Sequence, residues 1–341
     1  MSKILVIRLS SIGDVAMTIP VVYDVAKANP NHSFTILTQT FLLPLFINRP
    51  PNLSILGVSL QTTKSHFFRF ALYLRYHDFD LVLDLHNVIR SRLIGLIFRL
   101  SGKKVFTVDK RRKERKQLTK RPPKTIHPLM PVTERYAEVF QKAGFHYEKS
   151  FVSFFENHAV ENSSLEAIFG VKKGRWVGIA PFAKHQGKSY PLEKMEQVVK
   201  ALSERDDLQI FLFGGSGDEA ATLERWEKKF PNTIVASRRF LFDKELALIS
   251  MLDVLVSMDS ANMHLAALVG AKVITIWGAT HPYAGFYDSQ RREDLIIQAD
   301  LPCRPCSVYG NKPCYRKDYA CLKQITPEQI IQKILSECCL S

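Results

Sequence analysis

The chain predicts an α/β protein built from two Rossmann-like domains, each with a parallel sheet, facing one another across a cleft. Three observations carry this expectation. Apolar runs of strand length alternate with helical patterns through most of the 341 residues. The alternation is interrupted by a polar, weakly patterned stretch at 148–172 and then begins again. Strands that alternate with helices pair in parallel through right-handed crossovers, so each half should close a sheet of its own. The length also favours two domains over one. The expected division is 1–160, then 161–325, with a C-terminal helix over 326–341 that packs back on the first domain.

The elements follow in order. Residues 3–9 read as a buried strand around Ile4-Leu5-Val6-Ile7, followed by Ser10-Ser11-Ile12-Gly13-Asp14 and a helix over 15–28. Further strands are expected at 33–38, 53–58 and 80–85, and helices at 64–76, 88–100 and 133–143. The second half predicts strands at 175–180, 208–213, 233–236, 253–257 and 272–277. Its helices are expected at 191–205, 218–229, 243–251 and 261–269. The last helix, 327–336, is amphipathic through Ile330, Ile331, Ile334 and Leu335.

Composition narrows the function class. The chain is 46% hydrophobic and 23% charged, as a globular protein should be, and its net charge is +14. That balance favours an anionic partner: nucleic acid, an acidic membrane surface or a phosphorylated substrate. The longest apolar stretch, 88–100, is broken by Arg90, Arg92 and Arg99, which predicts no membrane span. The N-terminus lacks the order of a secretion signal, so a cytoplasmic protein is expected. Six cysteines crowd into the last forty residues rather than forming a framework of disulfides across the chain.

Ligands of open α/β sheets bind beyond the carboxyl ends of strands. Asp14 stands there, at the first turn of the first helix, as either a helix cap or a catalytic base. Ser257-Met258-Asp259-Ser260-Ala261-Asn262-Met263-His264 follows a strand and opens a helix, a place where free amides bind anions. The alternative there is a capped helix with a packed histidine. Gly214-Gly215-Ser216-Gly217 precedes Asp218 and Glu219, which are suited to ribose hydroxyls or to a plain tight turn. Lys188 lies three residues before Pro191 and could neutralise a departing diphosphate or face solvent. The basic run 110–116, with Lys120, Arg121 and Lys124, reads as a solvated loop, a nucleic-acid arm or a surface for acidic lipid. Its lack of interleaved aromatic residues argues against nucleic acid. Cys303, Cys306, Cys314 and Cys321 read as reduced structural thiols, with zinc or iron–sulfur binding as the alternative.

Taken together, these strings resemble glycosyltransferase family 9, the heptosyltransferases of lipopolysaccharide core synthesis, over nearly the whole chain. Ser10 to Asp14 with Pro20 is similar to the family's N-terminal signature, and Asp84-Leu85-His86-Asn87 with Arg90-Ser91 to its second loop. Lys188-Ser189-Tyr190-Pro191, Asp259-Ser260 with His264, and Gly278-Ala279-Thr280 with Pro282 resemble its later motifs. Four residues depart from the pattern: Asn87 and Ala261 stand for glycine, Tyr190 for tryptophan and His281 for aspartate. The resemblance implies a GT-B fold, with an acceptor-binding first domain and a second domain that binds a nucleotide sugar. It implies inverting transfer of heptose from ADP-heptose to a lipid A or inner-core acceptor, with Asp14 as base and Lys188 supporting the leaving group. Ser10, Ser11, Gly13, Asp218, Glu219, Asp259, Ser260, Ala261, His264 and Thr280 would bind the donor. Arg90, Arg111, Arg112, Arg115 and Arg135 would face the anionic glycolipid. No Asp-x-Asp pair ends a strand, so no catalytic divalent metal is expected. The expected state is a monomer in peripheral contact with the inner membrane, with no nucleic-acid partner.

Overall fold

The computed structural model describes every residue except 62, 157–159, 161, 162, 238, 240, 288–291, 340 and 341. The described residues form two compact units. One holds Met1–Arg111 and Val132–Val152, and the other holds Arg112–Pro131 and Ser153–Ser341.

The chain up to Val152 contains β1 (Lys3–Ile7), α1 (Ile12–Ala28), β2 (Ser33–Gln39), β3 (Leu53–Val58), α2 (Lys64–Tyr73), β4 (Leu81–Asp84), α3 (Ile89–Leu100), β5 (Lys104–Thr107), α4 (Arg112–Leu118) and α5 (Val132–Lys142). Its five strands pair in parallel in the order β3-β2-β1-β4-β5. Ile4, Leu5, Val6 and Ile7 have no exposed surface, because helices cover both faces of a parallel sheet. The short edge strand β5, with a half-exposed pattern, has no counterpart in the sequence reading.

The second unit contains α6 (Ser163–Phe169), β6 (Arg175–Ala180), α7 (Leu192–Ser203), β7 (Leu208–Leu212), α8 (Asp218–Lys229), β8 (Thr233–Val235), α9 (Phe242–Met251), β9 (Val254–Met258), α10 (Ala261–Leu268), β10 (Val273–Trp277), β11 (Ile296–Gln298), α11 (Ala320–Lys323) and α12 (Pro327–Cys339). The parallel order is β11-β10-β9-β6-β7-β8. Counted within the unit, this is the 3-2-1-4-5-6 order of a dinucleotide-type Rossmann sheet.

Two expectations about organisation differ from what the structure contains. The run 112–131, expected with the first domain, groups with the second unit. Long-range bonds hold it there: Leu129 N–H donates to Tyr283 O (2.9 Å) and Lys124 Nζ to Cys303 O (3.2 Å). Part of this basic run is helix α4 rather than a loop. The C-terminal helix, expected on the first domain, packs within the second unit. Ile330, Ile334 and Cys338 of α12 join the core beneath β6, β9 and α7. Residue 161, at the expected division, lies outside the described residues.

Candidate active site

In a doubly wound sheet the ligand crevice opens where the strand order reverses, at the carboxyl ends of the two central strands. In the first sheet these are β1 and β4, whose last residues, Ile7 and Asp84, are register partners. In the second they are β6 and β9, where Ala180 pairs with Ser257. The segments singled out in the sequence leave these four strand ends.

At the first switch point, β1 runs into Arg8, which is 6% exposed. Its Nη2 lies 2.6 Å from Asp14 Oδ2, and its Nη1 donates to Leu85 O beyond β4 (2.7 Å). The guanidinium also lies over the Tyr136 ring of α5 at 5.6 Å. The same Asp14 oxygen accepts from the hydroxyl of Ser11, the N-cap of α1, at 2.9 Å. Asp14 thus helps cap the helix and is ion-paired, yet its side chain keeps 28% of its surface exposed. The cap reading therefore holds, and the cap and the ion pair together orient a carboxylate that solvent can still reach. Ser10 and Gly13 flank it in the same turn, and Gly13 is buried.

The loop after β4 is organised by Asp84, which is 1% exposed and accepts from His86 N–H (2.9 Å), Asn87 N–H (2.8 Å) and Ser91 Oγ (3.0 Å). Burial pushes its carboxyl above the usual carboxylate range despite these bonds. Asn87 has φ 52°, the left-handed region that glycine favours and asparagine tolerates, which accounts for asparagine at this position. Arg90 is exposed at the start of α3 and lies over Phe67 at 5.5 Å.

At the second switch point, Lys188 Nζ pairs with Asp259 Oδ2 at 2.8 Å, and the side chains are 15% and 3% exposed. Asp259 follows β9, Ser260 is the N-cap of α10, Ala261 is its first residue, and His264 sits half-buried one turn along. Gly187, Gly278 and Gly310 let three loops meet here through their backbones. Ala279 N–H donates to Gly187 O (2.7 Å), and Gly187 N–H to Gly310 O (3.2 Å). A Cβ on Gly278 would lie 2.5 Å from Gly187 O, so only glycine fits. Arg304, 5% exposed, clamps the loop after β10 from below: it donates to Gly278 O (2.5 Å), Thr280 O (3.0 Å) and Ala299 O (2.6 Å). The Thr280 hydroxyl is buried and has no hydrogen-bond partner among the described residues.

The remaining residues expected at the site are placed as follows. Glu219 Oε2 accepts Gly215 N–H at 2.6 Å, closing its own turn, whereas Asp218 is exposed. Arg135 is 3% exposed inside the first unit and Arg111 is bound to Glu138 at 2.9 Å, so neither presents a free surface guanidinium. Arg112 is exposed and Arg115 half-buried on α4, in the second unit. Tyr190 is a core post, 1% exposed, donating to Ile325 O. Five described cysteines are free, and Cys303, Cys306, Cys314 and Cys321 line one cavity of about 10 Å³. Burial raises the Cys306 thiol and lifts that of Cys321 to about 11. Among the described residues no group of three or more His, Cys, Asp or Glu side chains is placed to hold a metal ion.

Three residues were missed in the sequence: Arg8, Arg304 and, as a neutral base, His86. Arg8 ends a strand like any basic residue, and only its spacing to Asp14 across the turn hinted at a pair. Burial and nearby Arg8 lower the His86 pKa to about 3. Burial and Arg304 lower that of His281 to about 4. The His281 Nδ1 accepts Tyr283 N–H (3.1 Å), a capping role that aspartate also fills. Both imidazoles are therefore neutral when folded, and the unfolded chain takes up their protons first as pH falls. Stability should be intact above the ordinary value of 6.5 and decline from there toward pH 4, by up to about 1.4 kcal/mol per pH unit for each histidine. Urea unfolding between pH 7 and 4.5 checks this. The His86→Gln/His281→Gln variant should show a shallower decline, and an identical slope would refute it.

Comparison with known proteins agrees with this arrangement. The sequence model of glycosyltransferase family 9 (heptosyltransferase) matches residues 67–315. Lipopolysaccharide heptosyltransferase 1 of Pseudomonas aeruginosa is 24% identical over 326 residues, covering 89% of this chain and 86% of that protein. The crystal structure of a family 9 glycosyl transferase from Veillonella parvula superposes with a TM-score of 0.73 at 18% identity, over 100% of this chain and 98% of that one. An E. coli heptosyltransferase solved with ADP-2-deoxy-2-fluoro heptose gives a TM-score of 0.67 at 19% identity, over 98% and 99% of the two chains. These similarities give the GT-B fold. With the family match spanning most of the chain, the protein belongs to glycosyltransferase family 9, the heptosyltransferases, and is a glycosyl-transferring enzyme.

Proposed function

We propose that the protein moves heptose, with inversion at the anomeric carbon, from ADP-heptose to the inner core or lipid A of lipopolysaccharide. The observation that carries this reading is the pairing of chemistry with topology: a reachable, oriented carboxylate at one switch point and, at the other, a half-buried lysine beside a helix N-terminus. The acceptor hydroxyl attacks the anomeric carbon and gives its proton to Asp14. The bond from that carbon to the β-phosphate oxygen breaks, and the electron pair leaves with the nucleoside diphosphate. Lys188 and the first amides of α10 receive the developing charge. Ser11 and Arg8 hold Asp14 in place, and Asp218, Ser260, Ala261, His264 and the buried Thr280 hydroxyl contribute to donor binding.

The reading places no divalent metal in the reaction, so turnover should persist in excess chelator. It also assigns membrane contact to the exposed basic residues Arg112, Lys113, Lys116, Lys120 and Arg121. Each is worth about 1 kcal/mol at an anionic surface. No described helix is long and apolar enough to cross a membrane. The donor is tested by thermal shift with ADP-, UDP-, GDP- and CMP-sugars: stabilisation by ADP-heptose above the rest is expected, and preference for another nucleotide would displace this assignment.

A further inference from the structure

We propose that Arg115 is a second cation of the donor diphosphate site, acting beside Lys188, rather than a residue that faces the acceptor. The proposal rests on the nucleoside-diphosphate reading above, and every residue it uses belongs to the second unit.

The need for a second cation follows from the first. Lys188 is matched at 2.8 Å by Asp259, so this buried pair is close to neutral. A departing nucleoside diphosphate carries at least two negative charges, and a preorganised site supplies positive charge before they develop. The pair alone cannot do so.

Arg115 and Lys188 rest on contiguous supports. Its guanidinium lies 5.5 Å from the centroid of Phe286, and Lys188 Nζ lies 6.0 Å from the same centroid. Its Nη1 donates to the Tyr309 hydroxyl at 2.5 Å, and it also lies over the Tyr309 ring at 5.6 Å. The next residue, Gly310, has φ +73°, accepts Gly187 N–H, and passes so close to Lys188 that a Cβ there would lie 2.6 Å from Lys188 Cγ. Consecutive residues thus carry the arginine and the lysine. Arg115 Nε is buried and has no hydrogen-bond partner among the described residues. A guanidinium has five N–H donors in a fixed fork, and with Nη1 engaged by Tyr309 the rest of the fork is suited to a phosphate oxygen. The α4 neighbours Arg112, Lys113 and Lys116 are exposed, so this docking is particular to Arg115.

Calorimetric titration with ADP and with AMP, at fixed ionic strength, tests the proposal. Arg115→Met should weaken ADP by about 10–100-fold, the loss of one or two charged hydrogen bonds. AMP, which lacks the β-phosphate, should change by less than about threefold on the same argument. Arg115→Lys should recover part of the ADP affinity, and Gln117→Ala, on the exposed part of α4, should leave it unchanged. In steady-state assays the donor KM should rise while the acceptor KM stays level. Equal losses for ADP and AMP, unchanged ADP affinity, or a rise confined to the acceptor KM would each overturn the proposal. If Arg115→Met does not fold, Tyr309→Phe, which removes only the tether, should still weaken ADP more than AMP, and equal effects would count against it. Wild-type protein that binds no ADP would instead refute the donor reading and this inference with it.

Discussion

Asp14→Asn should lower kcat by roughly 10²–10⁴-fold, the usual contribution of a positioned general base, with the Kd for ADP essentially unchanged. Asparagine is the informative substitution because Asp14 has three structural tasks. It caps α1, accepts from Ser11, and balances Arg8, whose side chain is 7% exposed. Asp14→Ala would leave that guanidinium unmatched. Breaking a fully buried pair costs about 3–5 kcal/mol, and the cost here is smaller because Asp14 retains 28% exposure. Loss of activity in the alanine variant would mix unfolding with lost chemistry. Asparagine also removes the charge that balances Arg8, but it keeps the shape and a carbonyl oxygen toward Ser11 and Arg8 while removing the proton acceptor. A kcat within tenfold of wild type, in a variant that melts normally, would take the base assignment away from Asp14.

Lys188→Met should also reduce kcat by roughly 10²–10³-fold, and it should raise the donor KM, because the lysine acts on ground-state phosphates as well as on the leaving group. It should lower stability too, since Asp259 is 3% exposed and would remain as a buried, unmatched carboxylate. The double variant Lys188→Met/Asp259→Asn separates the two effects. Melting should return toward wild type, because no buried charge is left, while turnover stays low. Recovery of turnover in the double variant would show that Lys188 serves only to balance Asp259.

Much of the fold was legible because it is written in local periodicity. Both runs of alternating strands and helices, and the turns at Ser10–Asp14 and Ser257–His264, occur where their patterns put them. What was not legible depends on contacts between distant residues. Strand order decides that β1 and β4, and β6 and β9, are the central pairs, and no local pattern encodes it. Arg8 looked like an ordinary basic residue closing a strand, and it became significant only once folding buried it against Asp14. Arg135 and Arg115 looked alike as surface cations. The first is buried in the first unit, and the second is drawn onto Phe286 and Tyr309, more than 170 residues away in sequence. The two departures at Asn87 and His281 each have a local structural reason. Asparagine supplies the left-handed turn, and the His281 imidazole nitrogen supplies the capping acceptor.

The most direct test of this account is the transfer reaction itself. Purified protein would be incubated with ADP-heptose and heptose-deficient lipopolysaccharide in excess chelator, and the product examined by mass spectrometry and anomeric NMR. The account predicts that one heptosyl residue is added, with its configuration inverted relative to the donor, and that Asp14→Asn yields almost none. A product of retained configuration, or a donor that is hydrolysed without transfer, would contradict it.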